Sequence, residues 1–261
     1  MLNELKEAYR YRTVIYNFVY ASLKVRYKRS ILGYLWTVLA PMGYYFVLAF
    51  IFSYGLRTSM PGSNYYVYMF SGAIIFSAIS SVINQASTIM FVNEGYIKKI
   101  YVPKMVFVLN VVLYEFANFL LVMLAVLILG FAAHQISFSY HFIFALVPML
   151  LSVLFTSGAA LIISIVSLYF RDLSHMVPVL MNACFFGTPI MWYNELAPPL
   201  MRKLNYLNPF YYFVELFREP FLNNRLPDLK LLGICSSFTI VVFVVGLFML
   251  SRFNNRIIFK L

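Results

Sequence analysis

The chain has 261 residues, 62% of them hydrophobic and 11% charged, with a mean hydropathy of +0.82. Soluble domains are about 25% charged and about 45–50% apolar, so a water-soluble globule is excluded. The formal charge of +11, from 20 Lys+Arg against 9 Asp+Glu, would ordinarily suggest nucleic acid. Here the basic residues flank hydrophobic runs, which assigns them to lipid headgroups and argues against a nucleic-acid partner.

Residues 1–30 read as a cytoplasmic preface carrying seven basic residues, Lys6, Arg10, Arg12, Lys24, Arg26, Lys28 and Arg29. No apolar stretch with a small-residue cleavage site is present there, so no cleavable signal peptide is expected. At about 100° per residue, Leu5, Tyr9, Tyr16, Tyr20, Leu23 and Tyr27 fall on one stripe. Lys6, Arg10, Thr13, Asn17, Lys24 and Lys28 fall roughly opposite. That is the pattern of an interfacial amphipathic helix, with Lys6, Arg10, Lys24, Arg26, Lys28 and Arg29 at headgroup level. A plain positive flank is the alternative. Arg12 intrudes on the apolar stripe and must snorkel or break the helix.

A spanning helix needs about 20 apolar residues. Stretches free of Asp, Glu, Lys and Arg run over Ser30–Leu56, Thr58–Asn93, Phe116–Phe170, Leu173–Asn194 and Leu231–Ser251. The third is 55 residues long and dips at Ala133-His134-Gln135-Ile136-Ser137, so it reads as two helices around a short polar hairpin. The fold class is therefore all-α integral membrane, with six spans near 32–56, 65–91, 105–131, 142–169, 174–193 and 230–251. Residues 31–254 form one membrane domain, and 255–261 a cytoplasmic tail. Six spans put both termini on one side. The segments there carry 7, 3, 1 and 3 Lys+Arg, against 1, 0 and 5 opposite. That excess places both termini in the cytoplasm of a cytoplasmic-membrane protein.

Between the second and third spans, Asn93 or Glu94 starts a short helix and Pro103 ends it. Tyr96, Ile97, Ile100 and Tyr101 make one apolar face on an otherwise basic helix, read from the residues alone as a headgroup-anchored elbow. Glu115 is the single carboxylate well inside a span, where a bare charge costs about 2.5–3.5 kcal/mol. It must face protein or water: paired with a neighbour such as Asn118, in a wet pathway, or, with no second acid to relay to, least readily as a proton relay. Arg171-Asp172 with His175 caps a short inner turn, where Asp172 can accept from the amides opening the fifth span.

Asn194–Lys230 is long for an outer loop but not loop-like. Asn208 suits an N-cap and Pro209 the first helical position. Phe210, Phe213, Val214, Phe217 and Phe221 follow helical spacing, while Glu215 and Arg218 share the other face at i, i+3. A re-entrant pair dipping into the outer leaflet fits this pattern, closing the outer end of a pathway with Asn208, Pro209, Phe210, Phe213 and Phe217. An amphipathic helix lying on the membrane is the alternative. Aromatic residues make up 19% of the chain. Most serve belts or packing, but Tyr44, Tyr45, Phe185, Phe186, Trp192 and Tyr193 are candidates to stack on sugars sequence-tolerantly along a pathway, as rings do on bases.

Chemistry of other classes finds no support. The chain has no Gly-x-x-x-x-Gly-Lys-[Ser/Thr] phosphate cradle. His134, His141 and His175 lack metal-ligand spacing, and Cys184 and Cys235 lie in apolar runs. A membrane glycosyltransferase would need clustered acids, and Glu94 and Asp172 are isolated. An ion channel would need a selectivity ring. No Gly-x-x-x-Gly marks a dimer face.

Three motifs carry a family resemblance. The run from Lys24 to Pro41, basic and then Ser30-Ile31-Leu32-Gly33-Tyr34-Leu35-Trp36, resembles the entry to the first span of polysaccharide-exporting type-2 ABC permeases of the O-antigen, capsule and teichoic-acid group. Tyr169-Phe170-Arg171-Asp172-Leu173-Ser174-His175 with Val177-Pro178 is a second match. Thr188-Pro189-Ile190, then Leu207-Asn208-Pro209 leading to Val214-Glu215-Leu216-Phe217-Arg218, is a third. The resemblance implies a homodimer paired with two copies of a separate ATPase, which binds ATP and Mg, and export of a lipid-linked polysaccharide through the homodimer interface. It also implies that this chain is not itself an enzyme. It further implies a coupling helix between spans two and three, with Glu94, Tyr96, Ile97, Lys98, Ile100 and Tyr101 seated on the ATPase alongside Arg171, Asp172 and His175. A permease for a small lipophilic substrate is the alternative within transport.

Overall fold

The computed structural model describes residues 2–26, 30–52, 65–132, 140–223 and 225–260, and no strand occurs among the described residues. In chain order the helices are α1 (Leu2–Arg10), α2 (Arg12–Val25), α3 (Trp36–Phe50), α4 (Tyr65–Ala86), α5 (Ile89–Val92), α6 (Glu94–Lys99), α7 (Lys104–Ala132), α8 (Leu146–Tyr169), α9 (Leu173–Gly187), α10 (Pro199–Leu207), α11 (Pro209–Arg218) and α12 (Leu229–Lys260). The polar hairpin with His134, the residues Tyr27, Lys28 and Arg29, and the first outer loop lie outside the described residues.

Among the described residues, five stretches are long and apolar enough to cross a membrane: Gly33–Phe50, Tyr65–Ala86, Lys104–Ala132, Tyr140–Tyr169 and Leu229–Asn254. They coincide with five of the six expected spans. The other, expected at 174–193, differs. Its helix α9 has only 15 residues, about 22 Å against a hydrocarbon core of about 30 Å. Thr188 is extended, at φ −86° and ψ 141°, because the ring of Pro189 disfavours a helical residue before it. Trp192 and Tyr193 therefore lie beyond the helix instead of closing it.

The centre of the bundle is α4, where Met69, Ala73, Ile75, Ile79 and Val82 are fully buried. On one flank α8 and α12 run parallel, and glycine sets their separation. A Cβ on Gly158 would stand 2.5 Å from Phe243 Cα, and one on Gly246 2.5 Å from the Gly158 carbonyl oxygen. Small residues at such crossings let backbones approach closely. The two glycines belong to different helices, so no spacing along the chain announces the contact.

The N-terminal segment packs lengthwise along α7. Phe18 meets Phe107 at 6.0 Å between centroids, Asn110 approaches Ser22 at 3.5 Å, and Arg26 donates to the Tyr114 hydroxyl at 2.8 Å. Steps of three to four residues in both helices hold matching faces together. The inward side carries Ala8, Ile15 and Phe18, while Tyr9, Tyr16 and Tyr20 are exposed. The helix breaks at Tyr11, the second of the two outcomes, snorkelling or a break, that Arg12 left open. Arg12 folds back over the Tyr9 ring, 4.8 Å from its centroid.

Both chain ends meet at one end of the bundle. Asn254 donates to Glu4 at 3.1 Å, Lys260 lies over the Tyr169 ring, Arg171 over Phe91, and Tyr96 edge-on to Phe18. The segment after α9 and the C-terminal end of α11 meet the start of α4, away from the termini, while the start of α11 reaches the middle of α4 and α8.

Candidate functional site

Away from the termini, Asn208 joins two of the sequence motifs. Its Oδ1 accepts from the Phe210 N–H at 3.0 Å, and its Nδ2 donates to Thr188 Oγ1 at 2.9 Å. Pro209 takes the first helical position, as the sequence indicated. The face of α11 is deeply buried. Phe213 packs on Phe155 at 4.9 Å and Phe217 on Phe119 at 5.6 Å. This corrects the expectation that Phe213 and Phe217 border an opening: both lie in the core. Phe210 alone of the three keeps partial exposure, edge-on to Phe76.

Arg218 is the residue whose place the sequence missed. Helical spacing put it with Glu215 on a polar face, and the pair does form, at 2.8 Å. Yet Arg218 is 2% exposed. The cause is the irregular stretch after α9, whose carbonyls have no helical partner and must be satisfied inside the protein. Arg218 donates to the carbonyls of Pro189 at 2.7 Å, Ile190 at 3.1 Å and Tyr68 at 3.3 Å. Tyr65 donates to the Met191 carbonyl at 2.8 Å, and the Tyr68 hydroxyl lies 3.1 and 3.0 Å from those of Pro189 and Trp192. Gly72 makes room: a Cβ there would stand 2.5 Å from Arg218 Nη2. An arginine in an apolar run, facing a chain interrupted by Thr-Pro, was the available signal.

The six pathway candidates divide between two depths. Tyr44 and Phe186 are 57% and 60% exposed. Behind them Tyr45 and Phe185 are buried, stacked at 6.4 Å and bracing Tyr44 and Phe186 edge-on at 5.3 and 5.5 Å. Tyr193 is buried against Tyr68 at 4.3 Å. Trp192, half-buried, donates to the Phe186 carbonyl at 3.1 Å. The structure thus brings α3 and α9 together with one exposed aromatic edge.

At the end that holds the chain termini, α6 starts after Asn93 as expected, and Glu94 pairs with Lys98. Its apolar face is split. Ile97 is buried within the chain, whereas Tyr96, Lys98, Ile100 and Tyr101 are exposed. Ile97 therefore holds α6 onto the bundle and is not open to another chain. Tyr101 donates to Glu7 at 3.4 Å, and that carboxylate pushes the phenol pKa up. Arg171, Asp172 and His175 are exposed at the same end. Asp172 occupies the N-cap of α9 but caps through its carbonyl, which accepts from the His175 and Met176 N–H groups at 3.0 Å; its side chain makes no cap bond. Lys6, Arg10 and Lys24 are exposed, and Arg26 is turned toward α7.

Between the two ends, α3, α4, α7 and Arg26 line a half-open cavity of about 190 Å³. Glu115 lines it, accepting from Gln85 at 2.5 Å with Arg26 3.8 Å away. Asn118 accepts from the Tyr34 hydroxyl at 2.9 Å. Glu115 is thus both paired and beside a polar hollow.

Residues 13–222 match the ABC-2 type transporter family. The chain belongs to this family. Among ABC-2 relatives, an O-antigen export system permease protein RfbA of Myxococcus xanthus is 29% identical over 247 residues, 93% of each chain. A protein of the same description from Klebsiella pneumoniae is 29% identical over 236 residues, 90% of this chain and 89% of its own. The polysialic acid transport protein KpsM of Escherichia coli is 24% identical over 225 residues, 86% of this chain and 87% of its own. ABC-2 membership and the five long apolar helices together make the chain an integral membrane protein. The ABC-2 match spans α6 and the Arg218 cluster alike, so both belong to the family's domain.

Proposed function

We propose that the chain is the transmembrane subunit of an ATP-driven exporter that moves a lipid-linked polysaccharide, O-antigen in the leading reading, from the cytoplasmic side across the bacterial inner membrane. The observation that carries this is the match to O-antigen export permeases along about nine-tenths of both chains. The KpsM relative favours a capsular polysaccharide as the second reading. ATP and Mg belong to two copies of a separate ATPase, which seat on Glu94, Tyr96, Lys98, Ile100 and Tyr101 with Arg171, Asp172 and His175.

In this reading two copies of the chain pair, and the polymer passes between them along the exposed aromatic edge of Tyr44 and Phe186. Ring faces let a long glycan slide without tight binding. The crossing begun by α9 is finished by residues 188–193, which supplies a sixth pass and keeps both termini cytoplasmic. Non-helical backbone at membrane depth is tolerated where protein satisfies it, as Arg218, Tyr65 and Tyr68 do here. The re-entrant pair α10 and α11 closes the outer end, with Asn208, Pro209 and Phe210 at the closure and Phe213 and Phe217 anchoring it.

Deleting the gene tests the reading. Lipid-linked glycan should accumulate inside the cell and disappear from the surface, with restoration only when the ATPase partner is also present. Unchanged surface glycan in the deletion strain overturns it. Single cysteines at Lys98 and Lys203 should react with an impermeant maleimide from opposite sides; labelling from one side refutes the sixth pass.

A further inference from the structure

The cavity beside Glu115 has a composition that packing does not explain. Glu115, Asn118 and Thr37 are 8%, 5% and 5% exposed, and all three line it. Thr37 Oγ1 has no hydrogen-bond partner among the described residues, while the Asn118 amide is set against the Glu115 carboxylate. A buried polar atom left unpaired costs about 1–3 kcal/mol, so the Thr37 hydroxyl calls for a polar occupant. Gln85 and Arg26 both engage Glu115 Oε1. A carboxylate offers about four acceptor sites, which leaves capacity on the other oxygen.

Three rings, Trp36, Tyr45 and Phe119, also line it; Tyr45 and Phe119 are buried and Trp36 is 42% exposed. The polar groups are the Glu115 carboxylate, the Asn118 amide, the hydroxyls of Thr37, Ser77 and Ser81 and the Arg26 guanidinium, set beside aromatic faces. Paired hydroxyls on an apolar C–H face meet that set. A volume of about 190 Å³ is more than tenfold the roughly 10–15 Å³ that admits one water, and the hollow is half-open, so a ring-sized solute has room to enter. Glu115 opposes an anionic occupant such as a carboxylated sugar or a phosphate, since Arg26, the one cation of the lining among the described residues, is already held by Glu115 and the Tyr114 hydroxyl. A second hollow, of about 380 Å³ between α4, α8, α9, α11 and α12, has only apolar walls and lacks this chemistry.

We propose that this cavity is a binding site for a single neutral sugar ring, lying within one subunit between α3, α4 and α7, with Glu115 and Asn118 on its hydroxyls and Trp36 or Tyr45 on its C–H face. The assignment rests on the polysaccharide reading for its substrate class, and it narrows that class to chains containing neutral residues.

The chain has two tryptophans, so in a Trp192→Phe background Trp36 reports alone from the cavity lining. The full-length protein in lipid nanodiscs is titrated with the methyl glycosides of mannose, galactose and N-acetylglucosamine, with the methyl glycoside of N-acetylneuraminic acid, and with inorganic phosphate. At least one neutral glycoside should shift Trp36 fluorescence saturably, with sialoside and phosphate at least tenfold weaker. Ala78→Leu, which fills the hollow, should abolish the shift. Glu115→Gln and Thr37→Val should weaken it about tenfold and about threefold, and they carry the test if Ala78→Leu does not fold. No saturable shift with any neutral glycoside, which leaves water as the occupant, overturns the site; so does equal affinity in all three variants, or tighter binding of sialoside or phosphate. The gene deletion tests polysaccharide export without reference to this cavity, so loss of Trp36 titration with intact glycan retention fails the site alone.

Discussion

The guanidinium of Arg218 lies 3.6 Å from the centroid of the Tyr68 ring, and the hydroxyl of the same tyrosine reaches the carbonyls of Pro189 and Trp192. One side chain from α11 and one from α4 thus share the unpaired backbone that follows α9. Removing Arg218 takes the guanidinium donor from the Ile190 carbonyl and from Glu215 and leaves the Pro189 carbonyl with the Tyr68 hydroxyl alone. Deleting one member of such a buried pair costs about 3–5 kcal/mol. Arg218→Met should lower the melting temperature in detergent sharply. Arg218→Lys should recover only part of it, because an ammonium lacks the planar fork that reaches several carbonyls at once. Equal melting of the three proteins, read by fluorescence-detected gel filtration, would refute the clamp.

Gly72 and Arg218 form a testable cycle. In the wild type Gly72→Ala drives a methyl into the guanidinium, an overpacking cost of about 1–3 kcal/mol. In the Arg218→Met background the same change should be close to neutral, since contacting residues couple and distant ones do not. Gly158→Ala meets the Phe243 backbone and should destabilise equally in both backgrounds. Identical penalties for Gly72→Ala with and without Arg218 would exclude the steric account.

Asn208 bridges α11 to Thr188 with two different atoms. Asn208→Asp keeps the cap acceptor but loses the amide donor. Asn208→Ala loses both, and the cap alone is worth about 1 kcal/mol. Stability should fall in the order Asn, Asp, Ala. An Asp variant melting with wild type would show that the Thr188 bond contributes nothing.

The two isoleucines of the inner helix region should separate stability from coupling. Ile97 is 6% exposed and Ile100 is 55% exposed. Ile97→Ala should reduce the amount of folded protein, because a deleted core side chain costs about 2–5 kcal/mol. Ile100→Asp and Tyr101→Asp should leave abundance unchanged while lowering surface glycan and glycan-stimulated ATP hydrolysis by the partner. Normal export in both aspartate variants would move the docking surface away from α6.

Much of the chain was readable because the bilayer leaves a sequence few choices. Long apolar runs must become helices, so Tyr65–Ala86 and most of Leu229–Asn254 lie where charge-free stretches put them. Local chemistry was equally legible: Asn208-Pro209 opens a helix, Asn93 precedes one, and Arg12 coincides with a break. These signals act over one turn and need no neighbour.

Composition and local chemistry thus set the solvent of the fold, the helices and most of their limits, and the absence of a phosphate cradle. Which side of each helix meets which neighbour came from packing alone. Arg218 is interior because Pro189, 29 positions away, frees a carbonyl in front of it. Ile97 faces inward because the bundle covers it, and Phe213 and Phe217 are core because α7 and α8 stand against them. Hydropathy does not separate a lipid-facing residue from a buried one inside a membrane, since hydrocarbon and protein interior are both apolar. Only the placement of neighbouring helices breaks that degeneracy.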